Sequence, residues 1–244
     1  MQTMTAVGPD APTLCEGWTT KDLAAHLVIR ERRMDATPGI MVSLLAGYTE
    51  KVQDKVARSK SWEDLLGLVS SGPPIYSPFK LLDPVANLGE MFIHHEDVRR
   101  AVDGWQPRVL DPSTAGLLRR QLGLMGRLML SKMPAQVVLR TPAGEQIARA
   151  GRGDTVTVTG DPQELLLFVS GRDAVNVEYD GDPPAIAAVR AAPAGWPRRV
   201  RAHPARRATP SAPAAAPATA QADAGRGPGS GCSRHCGPAR RQPR

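Results

Sequence analysis

The stretch DPVANLGEMFIHHEDVRRAV, Asp83–Val102, decides how this chain is read. The Asp-Pro at its head marks a helix start, with Asp as N-cap and Pro at N1, where its missing N–H costs nothing. On the helix that follows, residues four apart lie one turn from each other on one face. Glu90 and His94 therefore present a carboxylate and an imidazole side by side. His95 points about 100° away, on a stripe with Leu88, Met91, Phe92 and Val102. His94 thus has a liganding neighbour and His95 has apolar ones, so His95 is expected to be structural. The charged run Glu96, Asp97, Arg99 and Arg100 reads most simply as a solvated helix face. Asp97 shares the Glu90/His94 side, where a carboxylate can support a liganding imidazole from behind.

Alone, an E-x3-H pair arises often by chance. His26, the only other histidine before residue 200, raises its value, because it sits amid Ala24, Ala25, Leu27 and Val28 on an earlier helix. A further ligand from a separate helix is how bundles build metal sites. Two His and one Glu, here His26, Glu90 and His94, match the ligand set of a catalytic zinc centre with a fourth position open. A packed core histidine bonded to a carboxylate such as Asp22 fits composition and spacing at least as well.

Working outward, Asp111-Pro112 and Asp161-Pro162 repeat the helix-start signal. An earlier helix opens at Thr19 or Thr20 with Asp22 in its first turn, and carries Leu23, Leu27 and Val28 towards Arg30, Arg32 and Arg33. Helical stretches are expected at about 45–58 and 61–70, and the prolines of SGPPIYSP (Ser71–Pro78) require a loop. After Asp111, Leu118, Leu122, Met125 and Met129 share one stripe. Beyond Lys132 the period changes: Gln136–Arg140, Gln146–Arg149, Thr155–Thr159 and Val175–Tyr179 are short, β-branched and separated by turns. Helices DPQELLLFVSGR and PPAIAAVRAA complete that unit. The expected architecture is α+β: a helical bundle over 1–132, a small α/β domain over 133–192, and a disordered tail over 193–244.

Charge supports this division. The chain carries +7 overall with a pI near 9.8, which by itself would suggest nucleic acid or an acidic membrane. Residues 191–244, however, hold ten Arg and one acidic residue, Asp223, so the rest of the chain is slightly acidic. Val200 is the tail's only large aliphatic, too little to offset the entropy of ordering. Such Ala/Pro/Arg/Gly-rich text is also what a GC-rich gene gives out of frame. With Trp196 as the tail's single aromatic residue, too few for a stacking platform, specific nucleic-acid binding is not expected. No run approaches the roughly 18 to 20 apolar residues of a membrane span, and the start lacks a signal peptide's regions. Cys15 stands alone in the body and supports no disulfide framework, so a cytoplasmic location is expected. Cys15 fits a nucleophile less well than a small buried hydrophobe. Cys232-x3-Cys236 with His235 lacks a second ligand pair, and TGDPQE (Thr159–Glu164) lacks a phosphate-loop lysine.

PTLCEGWTTKDLAAHL (Pro12–Leu27) followed by GEMFIHHEDVRRA (Gly89–Ala101) resembles the mycothiol-dependent maleylpyruvate isomerase family of the DinB-like superfamily. More narrowly, it is similar to an actinobacterial branch of metal-binding proteins in which GPDAPTLCEGW, RERR and HHEDVRRA recur. The resemblance runs from about Val7 to Ala192 and includes TGDPQELLLFVSGR (Thr159–Arg172). It implies a four-helix bundle with one divalent ion held by one His and a later E-x3-H pair, here His26, Glu90 and His94. It also implies mycothiol, a low-molecular-weight thiol, as cosubstrate, with a small-molecule substrate and isomerase or S-transferase activity. A non-catalytic metal- or thiol-binding protein is the alternative. Relatives begin with a further helix where this chain has only Met1–Ala6, and they stop where the basic tail begins.

Overall fold

The computed structural model describes residues 1–33, 35–36, 46–77, 80 and 84–192. Among them run eight helices and four strands. Helix α1 (Gln2–Val7) is short, and α2 (Thr20–Arg32) follows a loop. Next come α3 (Ala46–Ser59), α4 (Trp62–Ser70), α5 (Pro84–Arg99) and α6 (Pro112–Met129). Strands β1 (Gln136–Arg140), β2 (Gln146–Ala150) and β3 (Thr155–Thr159) lead to α7 (Pro162–Val169), β4 (Glu178–Gly181) and α8 (Pro183–Ala191). The class is α+β. The expected tail over 193–244, with Cys232, His235 and Cys236, and the cap assigned to Asp83 lie outside the described residues.

The helix starts follow local chemistry. Thr19 and Asp22 form a capping box on α2, Ser61 caps α4 through the Asp64 amide, and Asp111 caps α6 through the Thr114 amide. Asp161 and Asp182 stand at N-cap positions without a side-chain cap bond, each ahead of a proline. The Asp182-Pro183 start was not among the Asp-Pro signals read from the sequence.

The sheet has the order β2-β1-β3-β4. β1 pairs antiparallel with β2, parallel with β3, and β3 pairs antiparallel with β4. The last strand corrects the sequence reading, since Glu178–Gly181 pairs with β3 whereas Val175–Val177 does not. There the Asn176 amide donates to the Glu164 carboxylate and the Val175 amide to the Asp173 carbonyl, so this backbone is not available to a ladder.

Two cores meet at α5. One joins Phe92 and Ile93 of α5 to Leu118 and Leu122 of α6, the inner faces of β1 and β3, and the apolar residues of α7. It runs continuously across Lys132, where the sequence period changes. The other joins Leu23, Leu27 and Ile29 of α2 to Val52, Val56, Leu65 and Val69, and takes in Met4 of α1 and Val98 of α5. Burial of apolar surface on both sides thus immobilises α5. The polar face of α5, read as solvated, is in fact buried: Glu96 and Asp97 are 0% exposed and Arg100 is 3% exposed. Arg100 donates to Glu96 and to Glu164 of α7, which covers this face with matching charge.

Candidate metal centre

The segment ahead of α2 is strapped down by its own backbone. The Thr20 and Lys21 amides donate to the Ala11 and Pro9 carbonyls, and the Leu14 amide donates to the Asp97 carbonyl at 2.9 Å. This ties Pro12–Trp18 to α5 and brings Cys15 and Trp18 to the site. Asp22 is committed to its capping box, accepting from the Thr19 amide and hydroxyl. Its carboxylate is therefore engaged away from His26, whose side-chain hydrogen-bond partner is Gln53.

His26 faces His94, with ring centroids 5.3 Å apart, and Trp18 lies 5.1 Å from the His26 ring on another side. One ligand atom each from His26, Glu90 and His94 lies within 4.8 Å of the other two. His94 Nε2 is 3.2 Å from Glu90 Oε1, while His94 Nδ1 is 2.9 Å from Asp97 Oδ2. Arg30 Nε stands 3.6 Å from Glu90 Oε1, and another of its nitrogens donates to Asn87 Oδ1 at 2.8 Å. Asp97 accepts from Arg172 Nε at 2.8 Å on one oxygen and from a terminal Arg172 nitrogen at 2.6 Å on the other. Cys15 is half-buried and donates from Sγ to Asp97 Oδ2 at 3.3 Å, rather than being the buried hydrophobe expected.

Charge is distributed unevenly over these groups. Burial first, then the nearby His94, pushes His26 down to about 4, so its imidazole is neutral at neutral pH. Burial alone would raise Glu90, but its hydrogen bond to His94 and the charges of His94 and Arg30 hold it down at about 2. Burial opposes a charge on His94, yet its bonds to Asp97, Cys15 and Glu90 outweigh that and raise its pKa well above 6.5. Asp97 is held well below the usual carboxylate range: burial works against it, and Arg172 and His94 overcome it.

The donor set could hold a divalent ion. His94 Nε2 and Glu90 Oε1, 3.2 Å apart, are themselves a hydrogen-bonded pair, and an ion entering there would displace the proton between them. Behind His94, a buried carboxylate holds the second ring nitrogen, as liganding histidines require. A second cluster, Cys15, His94 and Asp97, also converges. It fits a cation poorly, because both Asp97 oxygens already accept from the Arg172 guanidinium.

The structure therefore brings together all three residues singled out from the sequence. His95 lies outside the cluster, with Nε2 2.8 Å from the Thr3 hydroxyl of α1. Sequence reasoning missed Arg172, Trp18 and Gln53, a hydrogen-bond partner of His26. Arg172 ends a motif already noted, but no spacing rule links residue 172 to residue 97. An α+β protein with a buried histidine-carboxylate cluster is the class that fold and site define. No family model matches this sequence, nor does any curated protein or any solved structure.

Proposed function

We propose that this chain is a divalent-metal protein of the DinB-like type, with zinc held by His26, Glu90 and His94, that works on a low-molecular-weight thiol such as mycothiol. The observation carrying this reading is the convergence of those three side chains, with His94 backed by the buried Asp97. The sequence resemblance to maleylpyruvate isomerases points to the same residues.

When bound, such an ion supplies Lewis acidity that lowers a thiol's pKa and makes a thiolate available at neutral pH. The chain's own residues divide the remaining work. His26 is neutral and ready to donate a lone pair, and the ionised Glu90 supplies compensating charge. The Glu90 side chain is 31% exposed against 9% for His94, so a thiol or small substrate would approach from the Glu90 side. Trp18 packs beside His26. A thiolate generated there would add to an activated double bond, leaving a carbanion stabilised by the activating group; after rotation about the resulting single bond the C–S bond would break again, restoring the double bond and the thiolate. In S-transfer it would form the C–S bond as the leaving group departs with its bonding pair.

Elemental analysis of the purified protein tests the first half, with about one divalent ion per chain expected. A screen for metal-dependent turnover with mycothiol, using maleylpyruvate and then simple electrophiles, tests the second. Metal without turnover would favour a non-catalytic metal- or thiol-binding protein. A wild-type chain that takes up no zinc would end the reading.

A further inference from the structure

Both ligand-bearing helices, α2 and α5, belong to the helical part of the chain, yet the group that holds Asp97 comes from the sheet-bearing part. Arg172 follows α7, where the Ser170 carbonyl accepts from one of its terminal nitrogens at 2.6 Å. The Arg172 amide donates to the Leu167 carbonyl at 3.1 Å. Its backbone and one arm of the guanidinium are therefore fixed to the end of α7. The other two nitrogens reach Asp97 in a two-point fork, at 2.8 and 2.6 Å.

Asp97 is 0% exposed. A buried carboxylate needs a counter-charge and partners on both oxygens, or its orientation and its anionic state are lost. The fork from Arg172 supplies both. It sets the plane of the carboxylate and so aims Oδ2 at His94 Nδ1, 2.9 Å away. With Nδ1 donating to Asp97, Nε2 is the nitrogen left to face Glu90 and His26.

Building on the metal reading above, we infer that Arg172 is a positioning residue. Through Asp97 it sets which nitrogen of His94 faces the centre and how the ring is turned, so α7 of the sheet-bearing part governs metal affinity. It touches no proposed ligand directly: its partners are Asp97, the Ser170 carbonyl and, at 3.9 Å, Cys15.

The test is a coupling cycle on the full chain. Zinc affinity is measured by competition with a chromophoric chelator for wild type, Arg172→Gln, Arg172→Lys, Asp97→Asn and the Arg172→Gln/Asp97→Asn double variant. Cobalt substitution supplies the visible spectrum of each. Arg172→Gln and Asp97→Asn should each weaken binding about 10- to 100-fold, the usual effect of removing an outer partner of a liganding histidine. The double variant should be no more than about 2-fold weaker than Asp97→Asn alone, because both changes cut one chain. Arg172→Lys should fall between wild type and Arg172→Gln, since an ammonium restores charge without the fork. The cobalt spectrum should shift in Arg172→Gln, which a loss of stability alone would not cause. If circular dichroism shows Arg172→Gln unfolded, Arg172→Lys and Asp97→Asn with their double variant complete the same cycle. Wild-type affinity and spectrum in Arg172→Gln, or losses that multiply in the double variant, would overturn the inference while leaving the metal centre standing. A wild-type chain without metal would remove both.

Discussion

His94 and His95 are neighbours in the chain and differ in every partner. One turns to Glu90 and Asp97, the other to Thr3 of α1, because each helical residue rotates about 100° from the last. Replacing His94 by Ala should abolish zinc uptake, whereas His95→Gln should leave it unchanged, as elemental analysis of both variants would report. The reverse pattern would mean that the two histidines have exchanged roles. His95 also gives a pH prediction. Burial first, then the Arg108 guanidinium, pushes it down to about 4, below the ordinary value of about 6.5 in an unfolded chain. Between those values the unfolded state binds a proton that the folded state does not, so this contribution is intact above 6.5 and falls away as pH drops through 4. The loss in Tm from pH 7 to pH 5 should therefore be smaller in His95→Gln than in wild type. Parallel curves would count against a neutral His95 in the fold.

Within single elements, the contrast between two glycines gives the sharpest expectation. Gly116 lies inside α6, and a Cβ there would meet nothing within 4 Å. Gly116→Ala should stabilise by about 0.5–1 kcal/mol, through helix propensity and reduced freedom of the unfolded chain. Gly151 follows β2 with φ of +88°, and a Cβ there would collide with the Ala135 carbonyl, which is backbone and cannot swing aside. Gly151→Ala should cost about 1–2 kcal/mol for the left-handed conformation alone, and more once the collision is added. Urea melts of both variants with unchanged m-values would measure this, and opposite signs are expected. A neutral Gly151→Ala would show that the turn rearranges freely.

Across the whole molecule, the helical and sheet-bearing parts are joined by charge in a dry place. Arg100 donates to Glu164 at 2.5 and 2.8 Å and to Glu96 at 2.6 Å, and its guanidinium stacks 4.3 Å from the Trp105 ring centroid. Removing one partner strands the other, so Glu164→Ala should destabilise by about 3–5 kcal/mol. The pair Arg119–Glu145, with side chains 40% and 52% exposed, also bridges the two parts. Breaking it with Arg119→Ala should change stability by less than about 1 kcal/mol. Denaturant unfolding of the two variants side by side would decide. Equal effects would mean that burial does not govern the strength of these ion pairs.

Local order was legible in the chain: capping residues ahead of α2 and α6, the strands β1 to β3, and the Glu90/His94 pair all follow from short-range geometry. Periods of 3.6 and 2 and the capping chemistry act within a few residues, and a linear reading sees that range. His26 entered as a candidate ligand because so few histidines compete for the place, but its distance from His94 depends on how α2 crosses α5. The charged face of α5 was misread for the same reason. Glu96 and Arg100 look solvated until Glu164 arrives to pair with Arg100, and Asp97, legible as a support for His94, depends for its own partner on Arg172, both more than 60 residues later. β4 shifted because the Glu164 carboxylate claimed the Asn176 amide. Those outcomes rest on long-range charge pairing under burial, whose strength comes from excluding water. Only the packed chain excludes it.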